Sequence, residues 1–120
     1  HGLSAEIGQE ALRIFEKAMD VAESDEVRRR VEKASIACHA LIVEAVASPA
    51  FQKVRSRKKT RDQTPFVLDP VVSRKLRPHL AVFLDLCRGH AVPRMGEWAS
   101  IDEVADVLRE GYGMQRGEPF

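Results

Sequence analysis

The strongest constraint in this sequence is a regular row of apolar residues between positions 27 and 45. The row consists of Val27, Val31, Ala34, Cys38, Leu41 and Ala45, separated by steps of four, three, four, three and four residues. Such steps place side chains on one face of an α-helix. Ser24 and Asp25 precede the row and are suitable N-cap residues, whereas Ser48-Pro49 predicts the end of the helix.

A second apolar row precedes this helix. It consists of Ile7, Ala11, Ile14, Phe15, Ala18 and Ala22, again three or four residues apart. The pattern predicts an amphipathic helix that is joined to the next one by a short turn. Residues 4–48 are therefore predicted to form a helical hairpin.

Two further helices are predicted over residues 69–111. Asp69-Pro70 is a good N-cap and first-turn pair, and Ser100 with Glu103 matches a capping box. The apolar faces consist of Leu76, Leu80, Phe83, Leu84 and Cys87 in one helix and Val104, Val107 and Leu108 in the other. No segment alternates with a period of two, so we expect an all-α bundle of about four helices. Residues 1–112 would form one domain, and the Gly- and Pro-containing residues 113–120 a flexible tail.

Composition agrees with a single domain of 120 residues, in which 44% of residues are hydrophobic and 31% charged. We find no uninterrupted run of about 18 apolar residues, and we expect no membrane partner. Two cysteines provide no disulfide framework. The chain begins with His1 rather than Met, and we expect it to be part of a longer polypeptide. These observations do not determine the cellular compartment of the protein.

The charge is uneven, because residues 51–80 hold nine Lys or Arg against two Asp or Glu. Most of this excess lies in the sequence KVRSRKKTRDQ at positions 53–63. We interpret residues 50–64 as an exposed basic loop between helices. The alternative is a site for nucleic acid or another anionic partner, formed by Lys53, Arg55, Arg57, Lys58, Lys59 and Arg61. No aromatic residue is interleaved for base stacking, which favours the loop.

No catalytic, cofactor-binding or metal-binding residue is predicted. Cys87 and His90 have a Cys-x-x-His spacing, but His90 follows the expected helix stop at Gly89. Five carboxylates are candidates for a pair that performs acid–base chemistry: Asp85, Glu97, Asp102, Glu103 and Asp106. Three of them fall in or beside the first turn of the last helix, where acidic residues suit the helix dipole. No phosphate-binding or nucleophile motif occurs.

Two stretches carry a family resemblance. The first is LSAEIGQEALRIFEKAMDVAESDEVRRRVEKASIACHALIVEA, with its Leu-Ser start, its IFEKAMDVAES pattern and its D-E-V-x-x-R-V-x-x-A second helix. The second is LAVFLDLCRGHAVPRMGEW. Together they resemble the C-terminal helical domain of large bacterial proteins similar to α-glucuronidases, which are glycoside-hydrolase-like and contain a TIM barrel.

The resemblance implies a non-catalytic accessory domain that packs on the upstream barrel of its own parent chain. The parent would act on carbohydrate, with its catalytic carboxylates upstream of these residues, and would be periplasmic or secreted. Two alternatives remain open. The first alternative is a self-standing module that binds nucleic acid or another anionic partner through the basic stretch, and the second is a helical protein–protein adaptor.

Overall fold

The structure is a computed structural model that describes residues 2–95 and 99–120, and the side chains of residues 5–93 and 99–120. The helices are α1 (Gly2–Asp20), α2 (Asp25–Thr60), α3 (Pro70–Gly89) and α4 (Ile101–Gly111). A short antiparallel ribbon of β1 (Arg94–Met95) and β2 (Ala99–Ser100) leads into α4. The predicted all-α bundle is confirmed, and the ribbon is an addition that the sequence did not predict.

The helix starts follow local chemistry. The Ser24 hydroxyl accepts a hydrogen bond from the Val27 amide at the start of α2. The Asp69 carboxylate accepts from the amides of Val71 and Val72, with Pro70 in the first turn of α3. At α4 the Ser100 hydroxyl and the Glu103 carboxylate form a reciprocal capping box. These contacts satisfy amides that have no partner within the helix.

α2 does not end at Pro49 as predicted, and continues for three more turns to Thr60. The predicted basic loop at 50–64 is therefore wrong, because most of it is helix. Proline inside a helix costs about 3 kcal/mol through a lost hydrogen bond and a clash. Burial of Ala50 and Val54 after the proline offsets that cost, since both lie in the core. Arg61 then ends the helix in the left-handed region, with φ 54°.

The core lies around the second half of α2. Its buried residues are Ser35, Ile42, Val43, Val46, Ala47, Ala50 and Val54. α3 contributes Leu80, Phe83, Leu84 and Cys87, and α4 contributes Ile101, Val104, Ala105, Val107 and Leu108. The predicted apolar faces of α3 and α4 are confirmed by this burial. On α2 the buried face is rotated away from the predicted row, so that Val27, Ala34, Leu41 and Ala45 are exposed.

The tail is not free, in contrast to the prediction for residues 113–120. The Arg109 guanidinium donates to the Glu118 carbonyl at 2.7 Å and lies 5.0 Å from the centre of the Phe120 ring. Phe120 also meets Tyr112 edge to face, with ring centres 5.9 Å apart. These contacts hold the tail against α3 and α4 despite its glycines and proline, because one buried arginine provides both a donor and a cationic face.

α1 packs antiparallel on the first half of α2, and Gly8 lies at the closest approach of the two helices. A Cβ at position 8 would stand 2.8 Å from the Cys38 carbonyl oxygen and 3.2 Å from the Leu41 Cβ. Only glycine permits this spacing without a shift of backbone. The hairpin projects from the core, and the molecule measures 50 × 28 × 24 Å.

α2 also has a composition that is relevant to membranes. It contains an 18-residue window of mean hydropathy 1.5, of which 33% is buried. By length and composition alone the helix is able to cross a membrane, although the sequence has no uninterrupted apolar run. A helix that forms the core of a folded domain passes the same test, and the second half of α2 is such a helix. The absence of a membrane partner stays a prediction.

Candidate interaction surfaces

The basic residues that the sequence singled out lie on the last turns of α2, where three of them are engaged in ion pairs. Lys53 Nζ lies 2.8 Å from an Asp62 carboxylate oxygen. Lys58 Nζ lies 2.7 Å from Glu103, on α4. The Arg57 guanidinium donates to both oxygens of Glu110, at 2.9 and 2.8 Å. The segment therefore joins α2 to α4 and to the chain that follows it.

The ion pairs change the acidity of their carboxylates. The hydrogen bond from Arg57, with a second from the Phe66 amide, lowers the pKa of Glu110 to about 2. Hydrogen bonds from Lys53 and from Thr64 hold the pKa of Asp62 well below its usual range. The Lys58 hydrogen bond likewise lowers the pKa of Glu103. All three carboxylates thus stay ionised at neutral pH and neutralise part of the basic segment.

The other three predicted anion-binding residues are Arg55, Lys59 and Arg61. Arg55 is half-buried, whereas Lys59 and Arg61 are exposed near the end of the helix. Arg55 and Lys59 have contacts of their own within the molecule. The six residues are thus distributed around three helical turns and do not converge on one surface. Anion binding by this segment stays an alternative for experiment.

The carboxylates considered for acid–base chemistry face basic groups in the described part of the chain. Asp102 lies 3.6 Å from Arg88, and Asp106 lies 2.9 Å from Arg109. Glu103 is engaged by Lys58 and by the capping box. Glu97 lies outside the described residues. The described carboxylates are therefore ion-pair and capping groups rather than a catalytic pair.

Cys87 and His90 do not share a site. The His90 ring is buried and its Nε2 lies 2.9 Å from a Glu32 oxygen. The Cys87 thiol is buried in the core, and burial raises its pKa. Both cysteines are free thiols. Among residues 2–95 and 99–120 no group of three metal-ligating side chains occurs.

One edge of the hairpin is exposed and apolar, and it is here called the hairpin face. It consists of Ile7 and Ile14 on α1, Val21 just after the end of α1, and Val27, Ala34 and Leu41 on α2. Ile14 is 66% exposed and Val21 78%. The sequence identified most of these residues as apolar helix faces, and the structure leaves them without a covering element in its described part.

The exposed apolar residues of the two helices lie side by side at one edge of their contact. Gly8 packs against Cys38, Leu41 and Ile42, so the α2 row is centred on the contact with α1. A groove on one side of this contact is lined by Leu12, Phe15, Glu16, Met19 and Asp20 of α1 and by Val31, Glu32, Ser35 and His39 of α2. Residues of an α-helix are displaced by about 100° from one to the next, which places Ile7 and Ile14 on the opposite side. There they lie level with Leu41 and Ala34, at the exposed edge of the α2 row.

His39 lies in the groove between α1 and α2, on the side of the hairpin opposite Ile7 and Ile14. Its pKa is lowered, mainly by burial and then by the neighbouring His79. The buried Nδ1 atom has no hydrogen-bond partner among the described residues. The half-buried ring lies at the boundary between the interior and solvent. A neutral ring fits this environment best.

A second apolar surface lies along the other edge of α2. It is a groove of about 500 Å³ between α2, α3 and the start of α4. Its lining consists mostly of apolar residues, among them Ile36, Ala40, Ala47, Phe51 and Val92. The second half of α2 is apolar nearly all round. Leu41 is exposed there, whereas Ile42, Val43 and Val46 are buried inside the domain.

No protein-family model, no curated protein and no solved structure matches this chain.

Proposed function

We propose that this chain is a non-catalytic helical domain that joins polypeptides through its hairpin face. The observation that supports this most strongly is the order of the exposed apolar residues. Val27, Ala34 and Leu41 recur every seven residues, as do Ile7, Ile14 and Val21. Two such rows on neighbouring antiparallel helices have the pattern of a helix-bundle seam.

The size of the surface supports the same proposal. The exposed residues Val27, Ala34 and Leu41 span 15 residues of α2, or about 21 Å at 1.5 Å per residue. Soluble monomers rarely expose contiguous apolar patches larger than a few hundred Å². The ion pairs of Lys53, Arg57 and Lys58 make the basic segment part of the internal structure. A partner that covered the hairpin face would remove these exposed apolar side chains from water, which is favourable.

The parent protein is part of the proposal. Residues 3–45 and 80–98 carry the family resemblance. It implies that the parent is a carbohydrate-active, glycoside-hydrolase-like protein in which this domain is accessory. The residue chemistry agrees with an accessory role, since the described carboxylates are engaged with basic or capping partners.

Site-specific photo-crosslinking in the source cells tests the proposal. A benzophenone side chain replaces Ile14, which is exposed on the hairpin face. The matched control replaces Gln9, which is exposed on another side of the same helix. We expect discrete protein adducts from position 14 and none from position 9. Equal labelling from both positions, or none from either, would reject an interaction through this face.

A further inference from the structure

We propose that His39 makes the packing of α1 against α2 sensitive to mild acid. The neutral imidazole allows the two helices to pack together, and protonation of the ring favours their separation. This device lies inside the hairpin and is independent of what the hairpin face binds. Three features carry it: the position of the ring, the charged groups around the ring and the small share of α1 in the core.

The His39 ring lies at the junction of three helices. It lines the groove between α1 and α2 together with Leu12, Phe15 and Met19 of α1, and His79 of α3 is its neighbour. Its Nδ1 atom is buried and has no hydrogen-bond partner among the described residues. A neutral ring can keep a lone pair at this nitrogen, whereas the imidazolium must place an N–H there. A buried N–H without an acceptor is costly, so this position favours the neutral ring.

The charged groups on α1 and α3 do not offset this cost. His79 on α3 repels a positive charge on His39, whereas Glu16 on α1 attracts it. Glu16 and Asp20, which both line the groove, are exposed, so water screens their charges. The attraction from α1 is therefore too weak to hold an imidazolium in the groove.

The third carboxylate of the groove belongs to α2 and is already engaged. Glu32 lines the groove, and one of its oxygens lies 2.9 Å from Nε2 of the buried His90 ring. Burial of His39, and then the charge of its histidine neighbour on α3, together lower the pKa of His39. The cost of a buried charge thus exceeds the attraction of the nearby carboxylates.

α1 is the helix that moves most readily to relieve this charge. The described hydrophobic core is formed by residues of α2 and of the elements that follow it. α1 adds partly buried side chains, among them Ala11, Leu12 and Ala18, and the close contact at Gly8. Elements with few buried apolar contacts open at a lower free energy than the core. Separation of α1 gives the His39 ring access to water, while α3 keeps its contacts with the core.

The same movement changes the hairpin face. Ile7 and Ile14 lie on α1, whereas Val27, Ala34 and Leu41 lie on α2. These residues form one surface only while the two helices are packed together. Mild acid therefore divides the face into two separate apolar rows.

The direction of the pH dependence follows from the lowered pKa. Between the lowered pKa and the ordinary value of 6.5, the separated state binds more protons than the packed state. The packed state is therefore most favoured above pH 6.5 and loses stability as the pH falls below that value. For one proton, the opening equilibrium at about pH 5.5 exceeds that at about pH 8 by at most about tenfold.

Hydrogen–deuterium exchange of the α1 amides on the 120-residue chain tests the proposal. Opening constants are measured at about pH 8 and about pH 5.5, each corrected for the pH dependence of intrinsic exchange. We expect the wild-type opening constant of α1 to rise by about two- to tenfold on acidification. In His39→Gln, which keeps a polar side chain that does not titrate, the rise should disappear. In His79→Gln the rise should persist but be smaller, because a repulsive charge has been removed.

An α1 opening constant that is the same at both pH values in wild type would overturn the proposal. A rise of equal size in His39→Gln would do so as well, since another group would then be responsible. An NMR titration of the wild-type His39 ring provides the decision if the variant does not fold. A ring pKa below 6.5 supports the proposal, and a ring pKa of 6.5 or higher overturns it.

Discussion

The guanidinium of Arg57 donates two hydrogen bonds to the carboxylate of Glu110, at 2.9 and 2.8 Å, across 53 residues of sequence. The same carboxylate accepts a bond from the Phe66 amide at 3.0 Å. One acidic side chain thus connects the end of α2, the segment after it and the end of α4. This contact helps to stabilise the last turns of α2, a basic segment that the sequence predicted to be a loop.

Glu110→Gln should lower the free energy of unfolding by about 1 kcal/mol at neutral pH, a value reduced for solvent screening because the pair is partly exposed. The loss should depend on pH. The folded pKa of about 2 lies below the ordinary 4.5, so the unfolded state binds the extra proton between these values. The contribution is fully present above pH 4.5 and disappears as the pH falls toward 2.

Chemical denaturation of wild type and variant across this pH range, at one protein concentration, measures the difference. The gap between the two curves should close as the solution is acidified. Glu23→Gln, at an exposed residue of the turn between α1 and α2, should change stability by less than about 0.5 kcal/mol. A gap that stays constant down to pH 2 would show that Glu110 acts through shape rather than charge.

Gly8→Ala should destabilise the hairpin, because the new Cβ would stand 2.8 Å from the Cys38 carbonyl oxygen. Backbone must move to relieve this contact, at a cost of about 1–3 kcal/mol. Gly89→Ala is the matched control, since a Cβ there meets nothing within 4 Å. Thermal unfolding of both variants gives the comparison. Equal stability of the two variants would contradict the close approach of α1 and α2.

Arg61 tests the end of α2. Its backbone is in the left-handed region, with φ 54°, where residues other than glycine are strained. Arg61→Gly should raise the unfolding free energy by about 0.5–1 kcal/mol, and Arg61→Val should lower it by about 1–2 kcal/mol. If α2 ended near Pro49 instead, both substitutions would fall in a loop and their effects would be small.

Nucleic-acid binding is the test of the alternative function. Lys53, Arg57 and Lys58 are engaged by carboxylates within the chain, so we expect binding no tighter than about 10⁻⁴ M at physiological salt. Fluorescence anisotropy with labelled single- and double-stranded DNA measures the affinity over a salt series. Tight binding with a log–log salt slope of about −5 would instead support a site formed by all six basic residues.

The sequence predicted those parts of the fold that depend on neighbours in the chain. Ser24, Asp69 and Ser100 cap their helices as expected, because capping involves residues within one turn. The end of α2 was missed because burial of Ala50 and Val54 against distant helices outweighs the local effect of Pro49. The docked tail was missed for the same reason, since its main contact is with Arg109.

The sequence predicts the apolar residues of the hairpin face but not their exposure. The apolar rows on α1 and α2 are visible in the sequence, and their period is that of a packed helix face. Which row is buried within the domain depends on where α1, α3 and α4 lie around α2. Ile42 and Val43 turned out to be covered, whereas Val27 and Leu41 are exposed. Periodicity alone contains no information on that choice.

The central claim is that the hairpin face joins polypeptides, and crosslinking from that face in the source cells tests it most directly. A benzophenone at position 14 stands on the hairpin face, and one at position 9 stands on another exposed side of α1. We predict discrete protein adducts from position 14 and none from position 9. No adduct from position 14, or equal labelling from both positions, would contradict the account.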